Sequence, residues 1–523
     1  MGRSLATRWE QPAVFALAAA VFAAVALLPM LSLGGELLRG DALSHAARAL
    51  SAPRTWKLFA ASLGFAGAVT AIALVIGVPL GFVLGRSDLP GRRLALWLHA
   101  FPVFLPPFLL ALGWFHLLGR GGLLGSEVTA RALFSPAGAV LILALGLTPI
   151  VTALVAIALQ AVDPSLEEAA LLAGGPWRTA TRILVPLVRP AVALGALVVF
   201  ALAFSEMGVP SFLRVGLYPG MVFSRLGGVD YAPGEAFALA LPLFGVALLL
   251  LAFERAAAGR RSFAVLGARS REVPALRLGR WRVAATLLAW SGAVIPLAPL
   301  AALALRATRG GGFSRIGPSL GSSVGNSLTA SISAAGAVLI LAIVIGHAAA
   351  RGRRPALALD ALAVLAFLTP ATVLGVGLIA TWNRPATQAI YGSGAIVAVA
   401  FAARYGAIGV RAAAVSFAQG SVHLEEAAAV CGAGFVRRLA RILVPMHARG
   451  LAAAFLLALV FCLRDLETAV LLYPAGEEPL TVRIFTFEAN GSEAVVAALS
   501  CVQVAVTAAA LLAGSVLLFR RRS

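Results

Sequence analysis

Lysine occurs once in the 523 residues, at Lys57, and charged residues of both signs make up only 12% of the chain. A soluble fold covers its surface with about a quarter charged residues, so a water-soluble protein of this size is excluded. The lone lysine sits in APRTWKLF. That excludes a P-loop, whose GxxxxGK[ST] motif needs a lysine on the phosphates. Any nucleotide chemistry has to come from another subunit. Cysteine is scarce as well: Cys431, Cys462 and Cys501 stand apart without CxxC spacing, which favours packing roles over disulfides or metal. The six histidines, His45, His99, His116, His347, His423 and His447, never show ligand spacing such as HxxxH. The chain offers neither a catalytic residue nor a metal site.

Apolar residues are what the chain has in plenty: 60% of the sequence, with a mean hydropathy of +0.94. Runs of about 20 apolar residues cross a bilayer. They lie near 13–33, 58–85, 95–118, 136–161, 191–209 and 235–253, then near 283–305, 325–350, 356–382, 394–417, 450–472 and 493–519. The first run is too long for a signal peptide and lacks a clear cleavage site. Backbone polar groups in hydrocarbon must be satisfied within the segment. The fold class expected is therefore all-α, integral to the membrane, with about 12 transmembrane helices.

The net charge of +20 is not gathered into one basic face, so nucleic acid is not a partner. The arginines cluster between apolar runs. Lys and Arg favour one set of loops by about two to one, which places both termini in the cytoplasm. The stretch 254–282, ERAAAGRRSFAVLGARSREVPALRLGRWR, reads as a basic cytoplasmic linker between domains 1–253 and 283–523. Its charge also suits contact with anionic lipid.

Each half has six runs, and each places one polar segment between its fourth and fifth. At 167–186 the chain reads EEAALLAGGPWRTATRILVP, and at 425–445 EEAAAVCGAGFVRRLARILVP. The second runs also end alike, GRSDLPGRR at 85–93 and GHAAARGRR at 346–354. Six is even, so the halves are parallel repeats about an axis along the membrane normal. Asp163 before Pro164, and Ser421 at the equivalent place, read as helix N-caps. Glu167 and Glu168, like Glu425 and Glu426, then favour the positive end of the helix dipole. Gly174 and Gly432 are where each short helix ends and bends.

These two segments, about 163–190 and 419–449, resemble the EAA loop of importer-type ABC transporter permeases. The match is carried by Glu167, Glu168, Ala169, Ala170 and Gly174 in one copy, and by Glu425, Glu426, Ala427, Ala428 and Gly432 in the other. The second copy has the usual Gly-to-Pro spacing, and the first is one residue short. The resemblance covers the whole chain as two fused permease domains of the type I importer fold. LRDLETAVLLYPAGEEPLTVRIF (463–485) and SEMGVPSFL (205–213) are most similar to the ferric-iron uptake subfamily. The resemblance implies a bacterial inner-membrane permease. Its coupling helices would dock on two copies of an ABC ATPase that binds ATP and Mg, with no cofactor in this chain. A periplasmic binding protein would deliver the substrate, ferric iron ahead of thiamine, polyamine or an inorganic anion. An ion-coupled secondary transporter shares the twelve-helix plan but has no use for paired EAA segments.

Ionisable residues within spans are functional candidates by default. The 259-residue offset that superimposes Pro186 on Pro445 also superimposes Glu206 on Asp465. Together with Arg464 and Arg404 they are pathway candidates, the alternative for Asp465 being a pair with adjacent Arg464. Arg404 and Arg411 share a helix face, compatible with an anionic ligand or with packing and snorkelling.

Overall fold

The computed structural model describes residues 5–37, 42–227, 233–258 and 278–519. Most of the linker, 259–277, lies outside them. Among the described residues nine helices are long and apolar enough to cross a membrane, and the number is twelve when each of three sharply bent helix pairs is taken as one span. No strand occurs among the described residues.

Each expected run maps onto one helix or one bent pair. Glu10–Ser32, Pro53–Arg86, Pro136–Gln160, Ala180–Ser205 and Glu235–Ala256 belong to the first half. Gly279–Arg309, Ser323–Ala350, Ala395–Ala418 and Glu493–Val516 belong to the second. The third run of each half is not a straight span. Arg92–Phe104 turns by 106° into Pro107–Leu118, and Arg354–Leu368 turns by 111° into Ala371–Trp382. Proline is the cause. It has no N–H to give the preceding turn and pushes its predecessor out of the helical region. Pro106 (φ −56, ψ 129) and Pro370 (φ −53, ψ 142) hold the two breaks in the same extended shape. The fifth run of the second half also bends, by 83°, between Phe435–Met446 and Ala448–Leu463, whereas Ala180–Ser205 is continuous.

Small residues bring the second and fourth spans of the first half together. Gly77, Gly81 and Gly85 form a GxxxGxxxG stripe. A Cβ at Gly77 would sit 2.8 Å from Val151 Cβ, and one at Gly81 would sit 2.6 Å from Val155 Cβ. Without a hydrophobic drive between helices in lipid, this close backbone approach is what dispersion requires.

The first spans pack across the halves. Phe22 and Met30 of Glu10–Ser32 are buried in the core of the second half. There the Ser32 hydroxyl donates to the Gly377 carbonyl at 3.1 Å, and Phe22 occupies the space beside Gly406. Reciprocally, Gly279–Arg309 packs on the first half. Its Gly292 carbonyl lies 2.8 Å from His99 Nδ1, and its Pro299 sits against Gly113. Covalent order and packing partner therefore differ for Glu10–Ser32, while Gly279–Arg309 lies between the halves, its Arg306 pairing with Glu493 of its own half.

A buried polar gate and two helical elbows

Both carboxylates aligned by the 259-residue offset lie where a fifth span stops. Glu206 ends Ala180–Ser205 and its Oε1 accepts the Val209 N–H at 3.1 Å. Asp465 follows Ala448–Leu463 and its Oδ1 accepts the Thr468 N–H at 2.9 Å. Each thus holds the amide three residues on, inside the first turn of Gly208–Phe212 in one half and at Thr468, the residue before Ala469–Leu472, in the other. The acidic residue is needed because the first amides of a helix have no partner within it.

The four predicted pathway residues meet in one place. Arg404, from the fourth span of the second half, donates through one terminal nitrogen to Asp465 Oδ2 at 3.1 Å and Thr468 Oγ1 at 2.9 Å. Through the other it donates to Glu467 Oε2 at 3.0 Å and Ser205 Oγ at 3.2 Å. Tyr405 donates its phenol to Asp465 Oδ2 at 2.7 Å. Arg464 does not pair with Asp465. Its guanidinium donates to the Val103 carbonyl and stacks on Phe461, 5.3 Å from the ring centroid.

Glu467 completes the arrangement and was missed in the sequence. It accepts the Met207 N–H at 2.7 Å and the Ser205 hydroxyl at 3.0 Å, both from the other half. The signal was an acid two residues from Asp465 within a membrane-depth stretch. Ser205 in turn accepts the Ala371 N–H at 3.2 Å, just past the Pro370 break. Both proline breaks and both fifth-span ends therefore converge, with Val103 and Ala371 supplying the backbone of the third runs. Two arginines face three carboxylates here, all buried. Each buried ion carries a desolvation penalty of several kcal/mol, so apolar packing would serve stability as well. The cavity between Glu206, Arg404, Tyr405, Arg464, Asp465 and Glu467 holds about 30 Å³. That admits a single water and nothing larger, so the crossing point is closed.

On the face opposite the EAA segments, a cavity of about 690 Å³ reaches down to Glu206. Arg48, Arg54, Arg214 and Arg225 line it, with Glu235. Arg214 is the only non-glycine residue with positive φ (58°) among the described residues, a left-handed conformation costing roughly 1–2 kcal/mol. A second ionic cluster lies towards the EAA side. Arg411 donates to Asp360 Oδ1 at 3.0 Å and Glu254 Oε1 at 2.9 Å, and Arg255 reaches Asp360 Oδ2 at 2.9 Å. Neither Arg404 nor Arg411 is left as an open anion site, since both are engaged by internal carboxylates.

The repeated segments fold as two elbows of different build. In the first, Asp163 caps Pro164–Thr179 by accepting the Ser165 N–H at 2.9 Å. The bend falls at Gly175 (φ 73, ψ 174), one residue beyond the expected Gly174. Ala169 and Ala170 lie in this helix with Glu167 and Glu168, whose side chains are outside the described residues. In the second, Val422–Val430 ends at Gly432 (φ 85), as expected, and the next arm starts after Gly434. Ser421 stands at the N-cap without a side-chain hydrogen bond, so its capping differs from expectation. Left-handed glycine is the residue for such corners because it has no Cβ to clash. One glycine turns the first elbow and Gly-Ala-Gly turns the second, which is where the missing residue went.

The two second-copy glutamates also diverge. Glu425 Oε2 accepts from His347 Nε2 at 3.1 Å and Arg351 at 3.0 Å, fixing the helix to the end of Ser323–Ala350. The hydrogen bond from His347, then Arg351, holds its carboxyl down at about 2. Glu426 is 65% exposed, 3.4 Å from exposed His423. Ala427 and Ala428 follow on the same short helix. Glu10, from the exchanged first span, accepts the Phe435 N–H at 2.6 Å and so caps the second arm.

Comparison with known proteins finds transport permeases that are similar to this chain. Residues 77–258 match the model of the binding-protein-dependent transport system inner membrane component. The Escherichia coli K12 molybdenum transport system permease protein ModB is 28% identical over 205 residues, 38% of this chain and 89% of that protein. The Thermococcus kodakarensis molybdate/tungstate transport system permease protein WtpB is 33% identical over 159 residues, covering 30% of this chain and 60% of its own length. The Actinobacillus pleuropneumoniae ferric transport system permease protein FbpB is 24% identical over 490 residues, 86% of this chain and 69% of that protein.

Proposed function

We propose that this chain, an inner-membrane permease of an ABC importer resembling the ferric transport subfamily, carries ferric iron through the junction of its two halves. One observation carries the substrate: similarity to the ferric permease runs through both halves, whereas the molybdenum permease matches 38% of the chain. The halves 1–253 and 283–523 are then two fused permease domains in a bacterial inner membrane, with both termini cytoplasmic.

The two elbows are coupling helices, each seated on one of two ATPase subunits that supply ATP and Mg. A periplasmic binding protein hands over the substrate on the opposite face. ATP binding draws the ATPases together, and the elbows carry that motion to the fifth-span ends. Glu206 and Asp465 sit at those ends, so parting the halves there breaks the links from Glu467 to Ser205 and Met207 and opens the path.

Two measurements test this. Substituting Glu426 and Gly432 should release the ATPase from the solubilised complex while the chain stays folded, and full retention would remove the coupling role. Uptake of ⁵⁵Fe by vesicles containing the permease, ATPase and binding protein should require ATP. ATP-driven uptake of molybdate or sulfate in its place would establish a second reading, which the arginine-lined outer cavity favours.

A further inference from the structure

We infer that the 690 Å³ cavity above Glu206 is an anion-binding vestibule, so that cargo reaches the gate as an oxygen-rich anion and not as a bare cation. The inference rests on the permease reading, in which this cavity is the outer approach to the gate.

Four guanidiniums line the cavity against two carboxylates, Glu206 on its floor and Glu235 on its wall. Arg225 already holds Glu235, at 3.3 Å, and Glu206 is committed to the Val209 amide. The Arg54 side chain makes no ion pair or hydrogen bond among the described residues. The Arg214 backbone N–H donates to the Ser211 carbonyl at 3.2 Å, while its guanidinium donates no hydrogen bond among the described residues and its charge is felt by Glu488. Both are exposed to the cavity with their donor forks available. Guanidinium forks match the paired oxygens of carboxylates and tetrahedral oxyanions. A cleft with one sign of charge and low-dielectric walls concentrates ions of the other sign.

Topology gives no reason for these arginines. Positive charge is disfavoured on the face away from the cytoplasm, yet four arginines here point at one cavity. The backbone makes the same point at Arg214. Its φ of 58° suits glycine or asparagine, and strain of this kind persists where surrounding structure holds a residue in place for use. The Val215 N–H bond to the Pro210 carbonyl at 2.8 Å fixes that turn.

The shared chemistry has two sources: a free oxyanion, or a metal ion wrapped in anionic ligands. The test uses the full chain with its ATPase in nanodiscs. Probes are ³⁵S-sulfate, ⁹⁹Mo-molybdate and ⁵⁵Fe-citrate, with hexaamminecobalt(III) as a trivalent cation lacking anionic ligands. At least one anion should bind, at least tenfold more weakly in Arg54→Gln and in Arg214→Gly, with Arg54→Lys restoring most of the affinity. Arg214→Gly relieves backbone strain, so its loss of binding cannot be ascribed to misfolding. Binding of sulfate or molybdate identifies the free oxyanion, and binding of ferric citrate alone identifies the anionic metal complex. Displacement of the anion by hexaamminecobalt(III), absence of any bound anion, or affinities unchanged in both arginine variants would each overturn the inference. Retention of the ATPase in the same nanodiscs separates that outcome from failure of the permease reading, which would show as an ATPase that never binds.

Discussion

Arg404 and Glu467 are joined by a 3.0 Å ion pair inside the second half, and Glu467 spends its remaining oxygen on the Met207 amide of the first half. One arginine therefore tensions the contact between halves without touching the other backbone itself. The pair is buried, so removing one partner strands the other in low dielectric, which typically costs 3–5 kcal/mol.

Arg404→Ala should accordingly lower the melting temperature of the solubilised chain strongly, and basal ATPase activity of the complex should rise as the closed crossing point loosens. Arg404→Ala combined with Glu467→Gln and Asp465→Asn should recover much of the stability, because neither carboxylate that faced Arg404 is then left charged. A single variant that melts like the parent would show that the network does not hold the halves.

Glu206 and Asp465 invite a separation of charge from capping. Glu206→Gln keeps an acceptor for the Val209 amide, whereas Glu206→Ala leaves that amide bare, at about 1 kcal/mol for a lost cap. Thermal melts should rank alanine below glutamine by that margin, and Asp465→Asn and Asp465→Ala should repeat the order. If transport falls in the glutamine and asparagine variants while melting is unchanged, the carboxylates serve the pathway. Transport and ATP turnover unchanged in both would confine them to capping.

The elbows can be told apart by their glycines. Gly175→Ala places a Cβ on a left-handed corner with φ 73°, a cost of roughly 1 kcal/mol or more. At Gly174 the new Cβ would meet only the flexible Arg178 side chain, at 3.1 Å. ATPase co-elution should drop further for Gly175→Ala than for Gly174→Ala. The reverse order would place the corner elsewhere.

Acid should loosen one elbow selectively. Glu425 has its carboxyl depressed from 4.5 to about 2 by His347 and Arg351. A depressed folded value means that stabilisation is complete above the unfolded value and is lost as pH falls towards the folded one. The window is thus from about 4.5 down to about 2. Cys431, exposed at the end of this helix, can carry a fluorophore once Cys462 and Cys501 are serine. Its anisotropy should fall across that window, and His347→Ala should move the onset to higher pH. Anisotropy insensitive to pH in both proteins would mean that Glu425 does not fix the helix.

First spans that pack across the halves predict that cutting the chain will not part it. A protease site placed within 259–277 should yield two fragments that co-elute in mild detergent, because Glu10–Ser32 stays packed on the second half and Gly279–Arg309 on the first. Separate elution would contradict that packing.

Local chemistry and repetition sufficed for much of this in the sequence alone. Runs of apolar length marked the candidate membrane segments as helical, since hydrocarbon leaves the backbone no alternative to a helix. Two copies of one polar segment gave the parallel repeat. A constant offset paired Glu206 with Asp465 before any contact was known, because duplicated chains keep their register. What could not be read there depends on groups far apart in the chain. Pro106 and Pro370 were visible as residues, but a sharp break inside the run was not, since apolar length is the same in a straight helix and a folded one. Glu467 looked like one acid among neighbours until Ser205 and Met207, some 260 residues away, came within hydrogen-bond reach. The packing of first spans across the halves left no trace in pattern, because an apolar stripe specifies that a helix must be covered and not which half covers it. Only three-dimensional packing decided that, and with it the closed crossing where both halves meet.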